Sequence, residues 1–114
     1  MPARRGEIVA LAAARIGFRG TDPEELALVV QNDALCAAEV SYIVVPLQRC
    51  PLAAEDFPVW VPLEREQGLV GRWVAITDEI RRVAAGRIAP GVRGRLSRGN
   101  MRRIDAALRW VLAL

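Results

Sequence analysis

The chain has 114 residues, enough for one small domain with a single core and no disulfide staples, so one unit over residues 1–114 is expected and multi-domain readings fall away. It holds no histidine and only two cysteines, Cys36 and Cys50, without metal-ligand spacing; zinc sites, a histidine base and Ser-His or Cys-His nucleophiles are excluded, and no metal or cofactor is expected. The net charge of +3 hides a segregation: residues 1–19 carry four Arg and one acid, residues 20–71 two Arg against nine acids, and residues 72–114 ten Arg against three acids.

The opening Met1-Pro2-Ala3-Arg4-Arg5-Gly6-Glu7 lacks the apolar stretch and cleavage site of a secretory signal. No run approaches the roughly 20 apolar residues that span a bilayer, so a cytoplasmic location without membrane contact is expected. Glu7 to Leu11 reads as a first strand. Ala12 to Glu25 carries Gly17, Gly20 and Pro23, the marks of a long connection, and Phe18 and Arg19 on it make it a candidate functional loop. Leu28 to Gln31 and Tyr42 to Leu47 are short apolar, β-branched runs that read as buried strands, with Asn32-Asp33 supplying turn chemistry between them.

Phe57 to Leu63 reads as an edge strand, because Pro58 and Pro62 donate nothing to a ladder. Trp73 to Thr77 follows Gly68 and Gly71 as another strand, and Asp78 to Val83 alternates polar and apolar residues, continuing the sheet or turning a corner. Gly86, Pro90-Gly91 and Gly94 interrupt the chain before a last short strand at Arg93 to Leu96. From Ser97 the period changes: Met101, Ile104, Leu108 and Val111 recur at helical steps, with Ser97 or Asn100 as cap. On the outer face Arg102, Asp105 and Arg109 are spaced for ion pairs worth about 0.2–0.5 kcal/mol each, and that face reads as solubilising. The pattern predicts a mainly β chain, its small antiparallel sheet strongly curved or barrel-like and closed by a C-terminal α-helix.

All 16 basic residues are Arg. Phosphate recognition by the guanidinium fork and a GC-rich coding bias explain that equally well. The basic C-terminal part suits a polyanion or an acidic partner segment if it survives folding as one surface; otherwise it is a solvated face.

Several motifs, in order along the chain, resemble the MazF/PemK toxins of bacterial type II toxin–antitoxin systems. Arg5-Gly6-Glu7-Ile8-Val9 is similar to the family's opening Arg-Gly-(Asp/Glu) strand, and Ala27 to Ala34 to its Ala-Leu-Val-Val-x-Asn-Asp-Ala run. Ile43-Val44-Val45-Pro46-Leu47, Phe57 to Leu63, Asp78-Glu79-Ile80-Arg81, Gly94 to Ser97 and Ile104 to Leu108 complete the series. The resemblance implies an SH3-like small barrel of the Kid/MazF/CcdB type, a homodimer, and a groove that binds single-stranded RNA or an antitoxin's disordered acidic segment. It also implies metal-independent RNA cleavage (mRNA interferase activity), in which an Arg and a Thr help the 2′-hydroxyl attack the adjacent phosphate.

At those two catalytic positions this chain has Glu25 and Gln48. A carboxylate about 4 Å from a phosphate repels it by roughly 1 kcal/mol in water and about 4 at an effective dielectric near 20. Loss of one preorganised transition-state donor costs about 10²–10³ in rate. Gln48 can donate a hydrogen bond but offers no hydroxyl. Arg19 on the loop, or Arg49 if a bulge turned it onto Gln48's side, are the candidate replacement cations; in regular strand geometry Arg49 faces away from Gln48. With Phe18 they form the candidate RNA- or antitoxin-binding set, joined by Asp78 and Arg81 at family positions near the groove, where an Asp-Arg pair also reads as a structural ion pair. Three readings stay open: an endoribonuclease toxin, a non-catalytic module that binds an antitoxin, a related toxin subunit or RNA, and a CcdB-like gyrase inhibitor that no feature selects.

Overall fold

The computed structural model describes residues 2–12, 25–49, 58–63, 66 and 68–114. Along the chain it orders β1 (Glu7–Leu11), β2 (Glu25–Val29), α1 (Asp33–Cys36), β3 (Ser41–Arg49), β4 (Trp60–Leu63), β5 (Trp73–Ile76) and β6 (Arg81–Ala84). A 3-10 turn at Ala85–Arg87, β7 (Gly94–Arg95) and α2 (Arg98–Leu112) follow. Among the described residues the strands pair antiparallel, in the order β4-β5-β3-β2-β1-β7, with β6 also on β3. The sheet curls into a half-barrel, and the mainly β, helix-closed architecture expected from the sequence is the one observed.

β3 organises the sheet because its two halves have different neighbours. Its first half pairs with β6, from Ser41 opposite Ala84 to Val44 opposite Arg81. Its second half pairs with β5, from Leu47 opposite Ala75 to Arg49 opposite Trp73. Val45 and Pro46 lie between, with ladder partners only in β2. Pro46 has no N–H to offer, so a proline inside a central strand costs least at the point where one neighbour ends and the next begins. The sheet divides at that point.

Alternation along each strand sorts the side chains to two faces. On the inner face Ile8, Leu28, Val45, Leu47, Leu63 and Ala75 pack with Ile104 and Ala107 of α2. Ile8, Leu28, Leu63 and Ile104 are fully buried, and each contributes about 1.5–3 kcal/mol by leaving water. On the outer face Val9, Leu11, Ala27, Val29, Tyr42 and Val44 form a second cluster with Val83, and Val74 and Ile76 pack with half-buried Trp60.

Three local expectations change. β2 begins at Glu25, earlier than the apolar run suggests, since Glu25 and Leu26 pair with Leu11 and Ala10 although only half-buried. It ends at Val29, and Gln31 turns inward so that its amide donates to the Ser41 carbonyl at 3.0 Å. Asn32-Asp33 starts a one-turn helix in place of a plain turn: Asn32 Oδ1 accepts from the Ala34 N–H at 2.8 Å. Asp105 pairs with Arg5, not with Arg102 or Arg109. The Arg5 backbone N–H also donates to Asp33 Oδ1 at 2.7 Å, and its Nε to the Val30 carbonyl at 3.2 Å. One residue thereby ties the start of β1 to the end of β2, to α1 and to α2.

The helix follows its sequence signals closely. Ser97 is the cap, its Oγ accepting from the Asn100 N–H at 3.2 Å. Glu66 adds what no local pattern shows: its buried carboxylate accepts from the Ser97 N–H at 3.0 Å, the Ser97 hydroxyl at 2.8 Å and the Asn100 side-chain amide.

Candidate functional site

Glu25 opens β2, Gln48 is the penultimate residue of β3 and Arg81 opens β6. In their strands they alternate in step with Ala27 and Val29, with Val44 and Pro46, and with Val83, so all three belong to the outer face. Leu26 stands opposite Leu47, which sets Glu25 and Gln48 one step further out along the same ladder. From the strands on either side of β3, Arg81 and Glu25 meet: Nη1 lies 3.2 Å from Glu25 Oε1, while Nη2 lies 3.4 Å from Glu79 Oε2. Val74, directly opposite Gln48, and Ile76, opposite Trp60, give the site an apolar flank.

Residues far apart in sequence thus converge, and their charges oppose what a phosphate needs. Arg81 brings a guanidinium suited to an anion, yet two carboxylates already share it. Asp78, in the turn after β5, is exposed and forms no ion pair with Arg81. Among the described residues the site therefore has one Arg facing Glu25 and Glu79, with a third acid close in sequence. Glu79 is the member that sequence reasoning missed; as one carboxylate in an alternating run it carried no distinguishing signal.

Arg49 goes to the other face. It is cross-strand from Trp73, and its guanidinium carbon lies 5.2 Å from the centroid of the Trp73 ring. Trp73 is a core residue whose Nε1 donates to the Val70 carbonyl at 3.0 Å. No bulge turns Arg49 toward Gln48: residues 47 to 49 keep regular one-to-one pairing with β5. Cation–π contact makes Arg49 a lid on the core at the barrel rim. Phe18 and Arg19 lie outside the described residues.

A cleft of about 790 Å³ opens elsewhere on the outer face, lined among others by Arg4, Glu7, Tyr42, Ile88 and Arg95. Glu25, Gln48 and Arg81 do not line it. Among the described residues no group of His, Cys, Asp or Glu is arranged to hold a metal ion, and no helix is long and apolar enough to cross a membrane.

Residues 4–112 match the family model described as PemK-like, MazF-like toxin of type II toxin-antitoxin system. Solved structures share the fold over nearly its whole length. An endoribonuclease from a mycobacterial species, in complex with its cognate antitoxin, superposes with a TM-score of 0.78 at 20% identity, covering 98% of this chain and 96% of that one. MazF from Deinococcus radiodurans gives a TM-score of 0.78 at 16% identity, covering 100% and 99%. The Mycobacterium tuberculosis toxin MazF-mt6 gives 0.73 at 14% identity, covering 95% and 97%. No curated protein sequence matches the chain.

Proposed function

This chain belongs to the PemK-like, MazF-like toxins of type II toxin–antitoxin systems, and we propose that it is a one-domain member that binds partners without the family's RNA cleavage. The observation that carries this is the ion pair of Glu25 with Arg81. Where the resemblance assigns a catalytic Arg, an acid stands and pairs with Arg81; where it assigns a Thr hydroxyl, there is the Gln48 amide. Charge reversal at a phosphate site removes an attraction and adds a repulsion, and loss of one preorganised donor alone costs about 10²–10³ in rate. The partners the family reading supplies are an antitoxin whose acidic disordered segment meets arginine-rich surface outside this site, a second copy or related toxin subunit, and single-stranded RNA bound weakly. Val92, exposed at the edge of the outer-face cleft, and Val40, exposed beside it, favour a subunit contact there. A cytoplasmic setting follows from such partners.

The test is cleavage of a long single-stranded RNA, without metal, by the native protein and by the Glu25→Arg/Gln48→Thr variant. The native chain is expected to leave the RNA intact and the double variant to cut at specific sites. Cutting by the native chain overturns the proposal. If neither cuts while an antitoxin from an adjacent reading frame is still captured, the binding role stands and further substitutions have removed the activity.

A further inference from the structure

The outer face of α2 carries more uncompensated positive charge than its sequence spacing suggests. At about 100° per residue, the sector opposite Ile104 and Leu108 holds Arg102, Arg103, Ala106, Arg109 and Trp110. Asp105 is the only acid of the helix, and Arg5 takes it from the other side. Arg102 and Arg109 consequently have no carboxylate partner among the described residues. Among the described residues Arg103 donates to neutral oxygens, the Pro62 carbonyl at 2.9 Å and Asn100 Oδ1 at 2.8 Å, and has no carboxylate partner there. Beside these cations Trp110 is 69% exposed. Ala113, in the left-handed region at φ 58°, closes the helix with the Leu114 N–H on the Arg109 carbonyl at 2.9 Å.

We infer that this face of α2 is a docking surface for an acidic amphipathic helix of a protein partner. Arg102 and Arg109 lie seven residues apart, about 10.5 Å along the axis, a separation that carboxylates on an apposed helix reproduce with the same spacing. Ala106 between the two rows of larger side chains lets a partner backbone come close, as ridge-into-groove packing requires. Trp110 needs apolar cover, which a helix with leucines beside its glutamates supplies and a phosphate backbone does not. Charge decides the sign of the partner, and exposed Trp110 decides its class. That such a partner exists rests on the proposed antitoxin partnership; the surface lies apart from the site of Glu25, Gln48 and Arg81, so the two are tested separately.

The probe is a fluorescein-labelled synthetic helical peptide with Glu at seven-residue spacing and Leu beside it, titrated by anisotropy against a scrambled peptide of the same composition. Arg102→Glu/Arg109→Glu is expected to weaken peptide binding about tenfold or more and to flatten its salt dependence. Trp110→Ala is expected to weaken it about 30-fold. Thermal melts check folding, and Arg102→Gln/Arg109→Gln gives the same ranking without charge reversal. The inference is overturned if the native chain ignores the peptide, if the Arg substitutions have no effect, or if this face prefers single-stranded RNA or phosphatidylglycerol vesicles. Peptide binding that survives when the adjacent reading frame's product is not captured supports the surface and removes only the antitoxin as its occupant.

Discussion

Replacing Glu25 by Gln separates a structural ion pair from an electrostatic block. Arg81 Nη1 lies 3.2 Å from the Glu25 carboxylate, with side-chain exposures of 50% for Arg81 and 21% for Glu25. At that exposure, solvent screening reduces the pair to about 1 kcal/mol or less, and Glu79 still holds the other end of Arg81. Glu25→Gln should therefore lower the melting temperature by no more than about 4 °C. Its effect on anions should be larger. A phosphate about 4 Å from the carboxylate is repelled by roughly 1 kcal/mol in water and about 4 at a dielectric near 20. The half-exposed site sits toward the lower end, so the neutral variant should bind single-stranded RNA about 5- to 30-fold more tightly.

One newly available phosphate contact should also steepen the fall of log affinity with log salt by about 0.7. Anisotropy with a short labelled RNA between about 50 and 200 mM salt measures both quantities. Unchanged affinity and slope in Glu25→Gln would refute the idea that Glu25 masks an anion site. A gain that persists in Glu25→Gln/Arg81→Gln would refute the role of Arg81.

Glu66→Ala should destabilise the fold by about 2–4 kcal/mol, since hydrogen bonds to a charged group contribute about 1.5–3 each and the variant strands the Ser97 and Asn100 donors at the start of α2; a urea-midpoint change worth less than about 1 kcal/mol would rule that out. Gly68→Ala should cost about 3 kcal/mol or more, because φ is +90° and a Cβ would stand 2.0 Å from the Arg93 carbonyl oxygen. Gly86→Ala, with open space around it, is the control and should shift stability by less than about 1 kcal/mol. Burial, with Asp33 and Glu7 adding repulsion, pushes the Cys36 thiol up from its ordinary value of 9.0, while its contact with Gln31 opposes this. A group raised on folding contributes stability that is complete below its unfolded pKa and lost as pH rises toward the folded one. Native protein should accordingly lose stability above about pH 9, and Cys36→Ala should flatten that limb of a melting-temperature profile; an unchanged limb would count against it.

Sequence alone determined whatever depends on near neighbours. The 3.6-residue spacing of Met101, Ile104 and Leu108 placed α2 on the core, and Ser97 capped it as its hydroxyl chemistry predicts. Pro62 kept β4 at the sheet edge. The family motifs identified the fold, and Glu25 and Gln48 stood out only against them. Tertiary structure decided which charges meet. Glu25 reaches Arg81 across 56 positions because β3 changes partner near Pro46 and brings β6 alongside. Asp105 left the helix's own arginines for Arg5, 100 residues away. An ion pair is chosen by distance and by what else surrounds each charge, and both are set by strand register and sheet closure; local spacing offered Arg102 and Arg109 a partner that the fold had already given to β1.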